Sequence, residues 1–229
     1  KEELTERTIS YILDKEVMRK YFLCVRDSEM KLFEQLAADD SQVMTEDMAE
    51  LDYLYAGGYL TSGSDTRLKV AKEVVEAYNT INTPEFQEER SRLASIGDYL
   101  CAANSLYAIT PPSVLLETFN KYEAKKLTQE ELMQAYEQLL PYRCLVVWLD
   151  GCFVDAALAE QKSYKDLLGV QKKVPYYIPT QQEIRFMADN DGFLMTPELD
   201  QLSQFLKEQM NVSEDLLPYI LRQIQAEIS

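Results

Sequence analysis

Side chains able to do chemistry are unevenly supplied in this sequence, which has 39 acidic residues, 23 lysines and arginines, four cysteines, 15 tyrosines and no histidine. Without an imidazole there is no Ser-His-Asp or Cys-His nucleophile system, no His-ligated zinc and no histidine general base. With only seven glycines, neither GxGxxG nor GxxxxGK followed by Ser or Thr occurs, so the usual phosphate cradles are missing. Cys24, Cys101, Cys144 and Cys152 lack CxxC spacing and read as buried thiols of a reducing compartment. Carboxylate pairs are so frequent in an acidic chain that none is marked by its context as a general acid–base or metal pair. The chain therefore reads as non-enzymatic, with no catalytic residue, no metal ligand and no cofactor.

Asp189-Asn190-Asp191-Gly192 has some metal-loop character. With Gly192 at position 6 of an EF-hand loop, Asp189 falls at 3, Asp191 at 5 and Glu198 at 12, but Met187 stands where the first carboxylate belongs and Pro197 sits at 11. The segment reads instead as an Asx-rich turn ended by Gly192, ahead of a helix capped by Thr196 with Pro197 first.

The remaining chemistry is that of surfaces. A net charge of −16 repels polyanions at long range, which disfavours nucleic acid and anionic membranes as partners. The basic exceptions are Arg67, Lys69 and Lys72, and then Lys162, Lys165, Lys172 and Lys173 against the single acid Asp166. These seven are the contacts expected if the chain binds DNA. Residues expected to meet a protein partner are Glu46, Asp47 and Glu50 on an acidic helix, and Tyr176 and Tyr177, since tyrosine is large, stiff and amphipathic.

These side chains must be positioned by elements that are mostly helical. At roughly 100–200 residues per domain, 229 residues make one large domain or two small ones, and 46% hydrophobic residues exclude disorder. Apolar periodicity predicts two short helices to Val25, a helix capped by Ser28, and another opened by Thr45 and ended by Gly57-Gly58. The hairpin expected near 59–70 follows, and then a helix over Glu73 to Tyr78. Thr83-Pro84-Glu85 starts a long helix whose stripe runs towards Ile109, and Pro111-Pro112 breaks it. Ser113 caps the next helix, and Thr128 with Glu131 forms a capping box for another. Asp150-Gly151 then turns a hairpin expected over 144–155, in which Leu149 faces Cys152, Trp148 faces Phe153 and Val147 faces Val154. That register carries Cys144 away from Cys152, so a disulfide between them would need a different turn.

Ser28 to Ala71 and Ser113 to Ala156 share one grammar of helix, turn, Thr-capped helix and hairpin, with cap-to-cap spacings of 17 and 15 residues. The fold class expected is mainly α, with tandem winged-helix-like units, small β-hairpins and a C-terminal helical subdomain. Two unrelated helical hairpins with incidental strands are the alternative. The domains expected are 1–80 (N-terminal helices and first unit), 81–160 (second unit), 161–179 (connector) and 180–229 (helical subdomain). The second helix of each pair would enter the major groove, yet one carries Glu46, Asp47, Glu50 and Asp52 and the other Glu130, Glu131 and Glu137, with no basic residue on either. In the connector, Val174-Pro175-Tyr176-Tyr177-Ile178-Pro179 is extended and expected to bury at least two of its three central side chains as a clamp.

Tyr107-Ala108-Ile109-Thr110, the capped helix pair, the Leu149-Asp150-Gly151 hairpin and Lys173-Val174-Pro175-Tyr176-Tyr177-Ile178-Pro179 resemble an uncharacterised group of bacterial, mostly Firmicute, proteins. These often carry a C-terminal SEC-C zinc motif. The resemblance spans about residues 50 to 205 and implies the architecture and a bacterial cytoplasmic origin, but no activity. The Cys-rich motif is lacking here, so no zinc role carries over. No run of 18 apolar residues and no basic-then-apolar leader occurs, so a cytoplasmic location is expected. The function expected is a protein-interaction module with an unidentified protein partner, with a DNA-binding regulator as the alternative.

Overall fold

The computed structural model describes residues 2–38, 48–62, 68–142, 146–161, 164–171, 173–189, 196–213, 216–217, 220–221 and 224. Twelve helices and five short strands lie among them, so the chain is mainly helical with small antiparallel sheets. It divides into two compact units, each discontinuous in sequence: residues 1–97 with 130–144, and residues 98–129 with 145–229.

In the first unit, α1 (Glu2–Ile12) and α2 (Lys15–Leu23) are separated at Asp14, whose Oδ1 accepts the amides of Glu16 and Val17 at 3.0 and 3.1 Å. Next, α3 (Asp27–Ala38) starts one residue before the expected Ser28 cap, because the buried Glu29 carboxylate reaches back to accept the Arg26 amide at 3.0 Å. The next helix, α4 (Met48–Ala56), ends at Gly57-Gly58 as its sequence demands. A Cβ on Gly57 would lie 2.5 Å from the ring of Tyr21, which stacks on Tyr53 at 4.3 Å, so only glycine fits against that pair. The hairpin is present as β1 (Thr61–Ser62) and β2 (Leu68–Lys69), followed by α5 (Lys72–Ile81).

The longest helix is α6 (Pro84–Tyr107), started as expected, with Thr83 Oγ1 accepting the Phe86 amide at 3.2 Å. Its Phe86 is buried, and Phe22, Phe33, Tyr59 and Tyr78 form an aromatic core, with Phe22–Phe33, Phe22–Tyr59 and Phe33–Tyr78 ring centroids at 4.9–5.0 Å. Arg90 is 6% exposed; it donates to Val25 O at 3.1 Å and pairs with Asp27 at 2.8 Å. The helix α8 (Gln129–Leu139) groups, from residue 130, with these N-terminal elements. Its Glu131 is gripped by Arg92 through two bonds of 2.8 and 3.1 Å, and its Gln138 carbonyl lies 3.6 Å from Cys24 Sγ.

In the second unit, α6 ends at Ala108, whose φ of +56° turns the chain into a short strand, β3 (Ile109–Thr110), where the sequence was read as helix. The following helix, α7 (Pro112–Tyr122), opens at Pro112 with Pro111 as an extended N-cap, not at Ser113, since proline presets the first helical φ and has no amide to satisfy. The hairpin β4 (Val146–Leu149) and β5 (Cys152–Asp155) has the expected register, including Trp148 opposite Phe153, across an Asp150-Gly151 turn in which both φ angles are positive. Strand β5 is central, paired with β3 on one side and β4 on the other. Cys24, Cys101 and Cys152 are thiols, and Cys144 lies outside the described residues.

A short α9 (Ala156–Ala159) and an unforeseen α10 (Tyr164–Gln171) follow. The connector is thus helical in its first half, because Tyr164 and Leu168, one turn apart, pack on Ile109, Cys152 and Val154. Lys173 and Val174 turn back onto the end of α10, and residues 175–180 carry neither helix nor strand. Beyond it come α11 (Gln181–Asp189) and α12 (Pro197–Met210), the latter capped by Thr196 at 3.2 Å as expected. Leu199 and Leu206 of α12 form an apolar cluster with Leu217 and Leu221. Asn190 to Gly192 of the Asx-rich turn lie outside the described residues.

Candidate interaction surface

The segment from Val174 to Thr180 is held chiefly through its backbone. Tyr107 of α6 donates its hydroxyl to the Tyr177 carbonyl, and Tyr122 of α7 donates to the Pro179 carbonyl at 2.9 Å. In return Tyr176 donates to the Ile109 carbonyl at 3.4 Å, while its ring meets that of Tyr107 edge-on at 5.2 Å. Pro179 is buried and lines a small apolar cavity of about 10 Å³ with Tyr99, Leu115 and Ile184. The clamp expected from the sequence therefore uses different groups: Tyr176 and Ile178 are half-buried and Tyr177 is 56% exposed. Proline closes the segment against the core, and the tyrosine hydroxyls satisfy carbonyls that a chain outside helix and strand leaves without partners.

The exposed Tyr177 ring is itself fixed. Its hydroxyl donates to both oxygens of Glu183 at 2.9 Å, and that carboxylate also accepts the Thr180 amide at 2.7 Å and hydroxyl at 2.8 Å. Glu183 in turn donates its amide to Thr180 Oγ1 at 3.3 Å, completing a capping box at the start of α11. The Thr180 bonds, backbone first, hold the Glu183 carboxyl below its usual range. The bond to Glu183 raises the Tyr177 phenol, and burial, with Tyr177 and Tyr176 nearby, pushes Tyr107 up to about 12. The Tyr177 and Tyr107 hydroxyls thus remain donors at neutral pH.

Just before this segment, α10 turns Tyr164, Leu168 and Gln171 inward, with Gln171 Nε2 donating to the Tyr107 carbonyl at 2.8 Å. Tyr164 anchors the first turn by donating to Asp150 at the hairpin tip. Outward it presents Leu167, 41% exposed, and Val170, 60% exposed. The backbone bonds Lys173 N to Val170 O (3.0 Å) and Val174 N to Gln171 O (3.1 Å) carry this apolar stripe one turn further, to Val174.

The residues expected to function fall in different places. Tyr176 and Tyr177 come together with Tyr107, Tyr122 and Glu183. Lys165 and Lys173 are exposed in the same unit, Lys165 lying 3.9 Å from Asp150. Lys69 and Lys72 are exposed in the other unit, Lys72 lying 3.6 Å from Glu76. Glu46, Asp47, Arg67, Lys162 and Lys172 lie outside the described residues, and for Glu50 only the helical backbone is described. Sequence reasoning missed Glu183, although Thr180-Gln-Gln-Glu183 carries the capping-box spacing that would have found it. It also missed Tyr107 and Tyr122 as anchors, which only tertiary placement reveals. Among the described residues no group of three or more acidic or thiol side chains could hold a metal, and no helix is long and apolar enough to cross a membrane.

The fold and surface define a mainly helical protein that presents a locked aromatic segment beside a short helix with an exposed apolar stripe. No family model, curated protein or solved structure matches the chain.

Proposed function

We propose that this chain is a non-enzymatic, cytoplasmic protein-interaction module built on degenerate, acidic winged-helix-like units, and that the Val174–Thr180 segment with α10 is its contact surface. The observation that carries this reading is the exposed Tyr177 ring, locked through Glu183 and through its own carbonyl, beside the stripe of Leu167, Val170 and Val174. A fixed aromatic loses little conformational freedom on docking, and clustered exposed apolar side chains mark interaction sites. The winged-helix component is supported by the order α6, β3, α7, α8, β4, β5 with β5 central, and in the N-terminal half by α3 and α4 followed by β1 and β2. Kinship with the SEC-C-associated bacterial proteins belongs to the same proposal, resting on the Lys173–Pro179 motif.

A regulator contacting DNA through wing and connector lysines is the rival class. Against it stand the exposed Glu130 and Glu137 on α8, and Glu76 and Asp150 beside Lys72 and Lys165. Site-specific photo-crosslinking in the native cell decides between them, with the crosslinking residue at position 177 and, as control, at the exposed Tyr11 of the other unit. A discrete protein adduct formed from position 177 but not from position 11 is expected. Adducts with nucleic acid, or no discrete adduct, would refute the interaction-module reading.

A further inference from the structure

A cleft of about 580 Å³ lies within the first unit, lined by α3, α6 and Asn82, the residue that follows α5. Small-molecule sites commonly enclose about 300–1,000 Å³. From α3 come Asp27, Met30, Lys31 and Glu34, which share one face of the helix, and from α6 come Gln87, Arg90 and Ser91. Met30 is the one apolar side chain among the residues that line it, so the cleft suits a polar ligand.

A series of hydrogen bonds joins its walls. The buried Arg90 pairs through Nη2 with Asp27 Oδ1 at 2.8 Å and donates from Nε to Gln87 Oε1 at 3.1 Å. Gln87 Nε2 donates to Asn82 Oδ1 at 2.8 Å and to the Tyr78 hydroxyl at 3.0 Å, and that hydroxyl donates to Glu34 Oε1 at 2.9 Å. These bonds set the orientation of both amides and hold one oxygen of each carboxylate before any ligand arrives, which lowers the ordering cost of binding. The network leaves other groups unspent. Lys31 stands four residues after Asp27 and three before Glu34, the spacings at which helical ion pairs form, and Glu3 with Arg7 and Lys72 with Glu76 do pair in this chain. Yet Lys31 makes no hydrogen bond or ion pair among the described residues, Asp27 being turned to Arg90 and Glu34 to Tyr78. Ser91 Oγ, Asn82 Nδ2 and Glu34 Oε2 are likewise without a partner among the described residues.

Charge selects the ligand. A dianion would meet the charge of Asp27 and Glu34, a diamine that of Lys31 and Arg90, and an uncharged molecule would leave both signs without a counter-charge. A molecule with opposite charges side by side answers both. We propose that the cleft binds a small zwitterion of the amino-acid type, its ammonium on Glu34 Oε2 and its carboxylate on Lys31 and Ser91. Lys31 and Glu34 are neighbours on the helix surface, about 5–6 Å apart at Cβ, so their tips can bracket two charges joined through a single carbon. Asn82 Nδ2 is left for a polar group of the ligand's side chain or, in a short peptide, of its next residue.

The cleft lies within residues 1–97, and the Val174–Thr180 segment belongs to the other unit, so this ligand site and the interaction-module reading can each fail without the other. The probes are the common amino acids and a set of dipeptides, screened on the full-length chain by saturation-transfer NMR and titrated by calorimetry. At least one is expected to bind with a dissociation constant of about 1 mM or tighter. N-acetylation or C-terminal amidation of that compound, each of which deletes one charge, is expected to weaken binding at least tenfold. Lys31→Met and Glu34→Gln are expected to do the same, while Lys31→Arg retains binding. Glu34→Gln keeps an acceptor for the Tyr78 hydroxyl, and Lys31 has no bond to lose among the described residues, so the urea midpoints of these variants separate lost binding from lost folding. A preference for free amino acids or for dipeptides names the source of the zwitterion, and either supports the proposal. Binding by no member of the panel, undiminished binding of the acetylated or amidated compound, or unchanged affinity in Lys31→Met and Glu34→Gln would overturn it. So would tighter binding of putrescine or succinate, which carry one sign of charge only.

Discussion

Tyr122→Phe isolates the means by which the Val174–Thr180 segment is held. The substitution keeps the ring and deletes one hydroxyl, which donates to the carbonyl of the buried Pro179 at 2.9 Å. Net, a hydrogen bond of this kind contributes about 1 kcal/mol, and stranding the buried carbonyl raises the loss to about 1–2 kcal/mol. With a urea dependence of about 2 kcal/mol per molar, the unfolding midpoint should fall by about 0.5–1 M. The assay is built into the chain: Trp148, the sole tryptophan, sits on β4 in the same unit and meets Phe153 edge-on at 5.1 Å, so its emission follows the unit that Tyr122 stabilises. Tyr177→Phe is the matched control. Its hydroxyl and ring lie at the surface, where water replaces the lost bond to Glu183, and the cost should stay under about 0.5 kcal/mol. For the same reason Tyr177→Ala should destabilise far less than the buried clamp expected from the sequence implied. An unchanged midpoint for Tyr122→Phe together with a large drop for Tyr177→Phe would refute the reasoning, since the segment would then be held by the exposed side chain and not by its carbonyls.

Two further outcomes are expected. Arg90→Leu deprives the buried Val25 carbonyl of its donor, while the 59%-exposed Asp27 side chain rehydrates, so the loss should be about 2–3 kcal/mol in urea unfolding followed by circular dichroism. A loss below about 1 kcal/mol would mean that water reaches that carbonyl. The Glu183 carboxyl is held below its ordinary value of 4.5 in the folded state, so the stability it contributes is fully present above that value and is lost as pH falls through the lower folded value. Glu183→Gln should therefore shrink the fall in the Trp148 midpoint between about pH 7 and about pH 3; an identical pH dependence in both proteins would count against the capping box.

Much of this structure is written locally. The Thr83-Pro84 and Thr196-Pro197 helix starts form where the sequence places them, because a side-chain cap and a preset proline φ act within three residues. The β4–β5 register follows from Asp150-Gly151, since a two-residue turn with positive φ fixes every pair that follows it. The acidity of α8 and the basic character of residues 162–173 are likewise properties of composition. Tertiary structure decided what local signals could not. Tyr164–Gln171 is helical because Tyr164 and Leu168 find a sheet to pack on, although eight residues with a central glycine have little helical tendency of their own. Ile109 and Thr110 leave the helical pattern because β5 offers them partners from more than 40 residues away. Glu131 also accepts from Arg92, which stands 39 positions away in the sequence, and the Arg26–Glu29 bond moves the start of α3 away from the Ser28 hydroxyl. The surface centred on Tyr177 belongs to this second kind. Proline and tyrosine foretold an extended aromatic segment, but which rings face water depends on where Tyr107 and Tyr122 stand, and those distances exist only once the chain has folded.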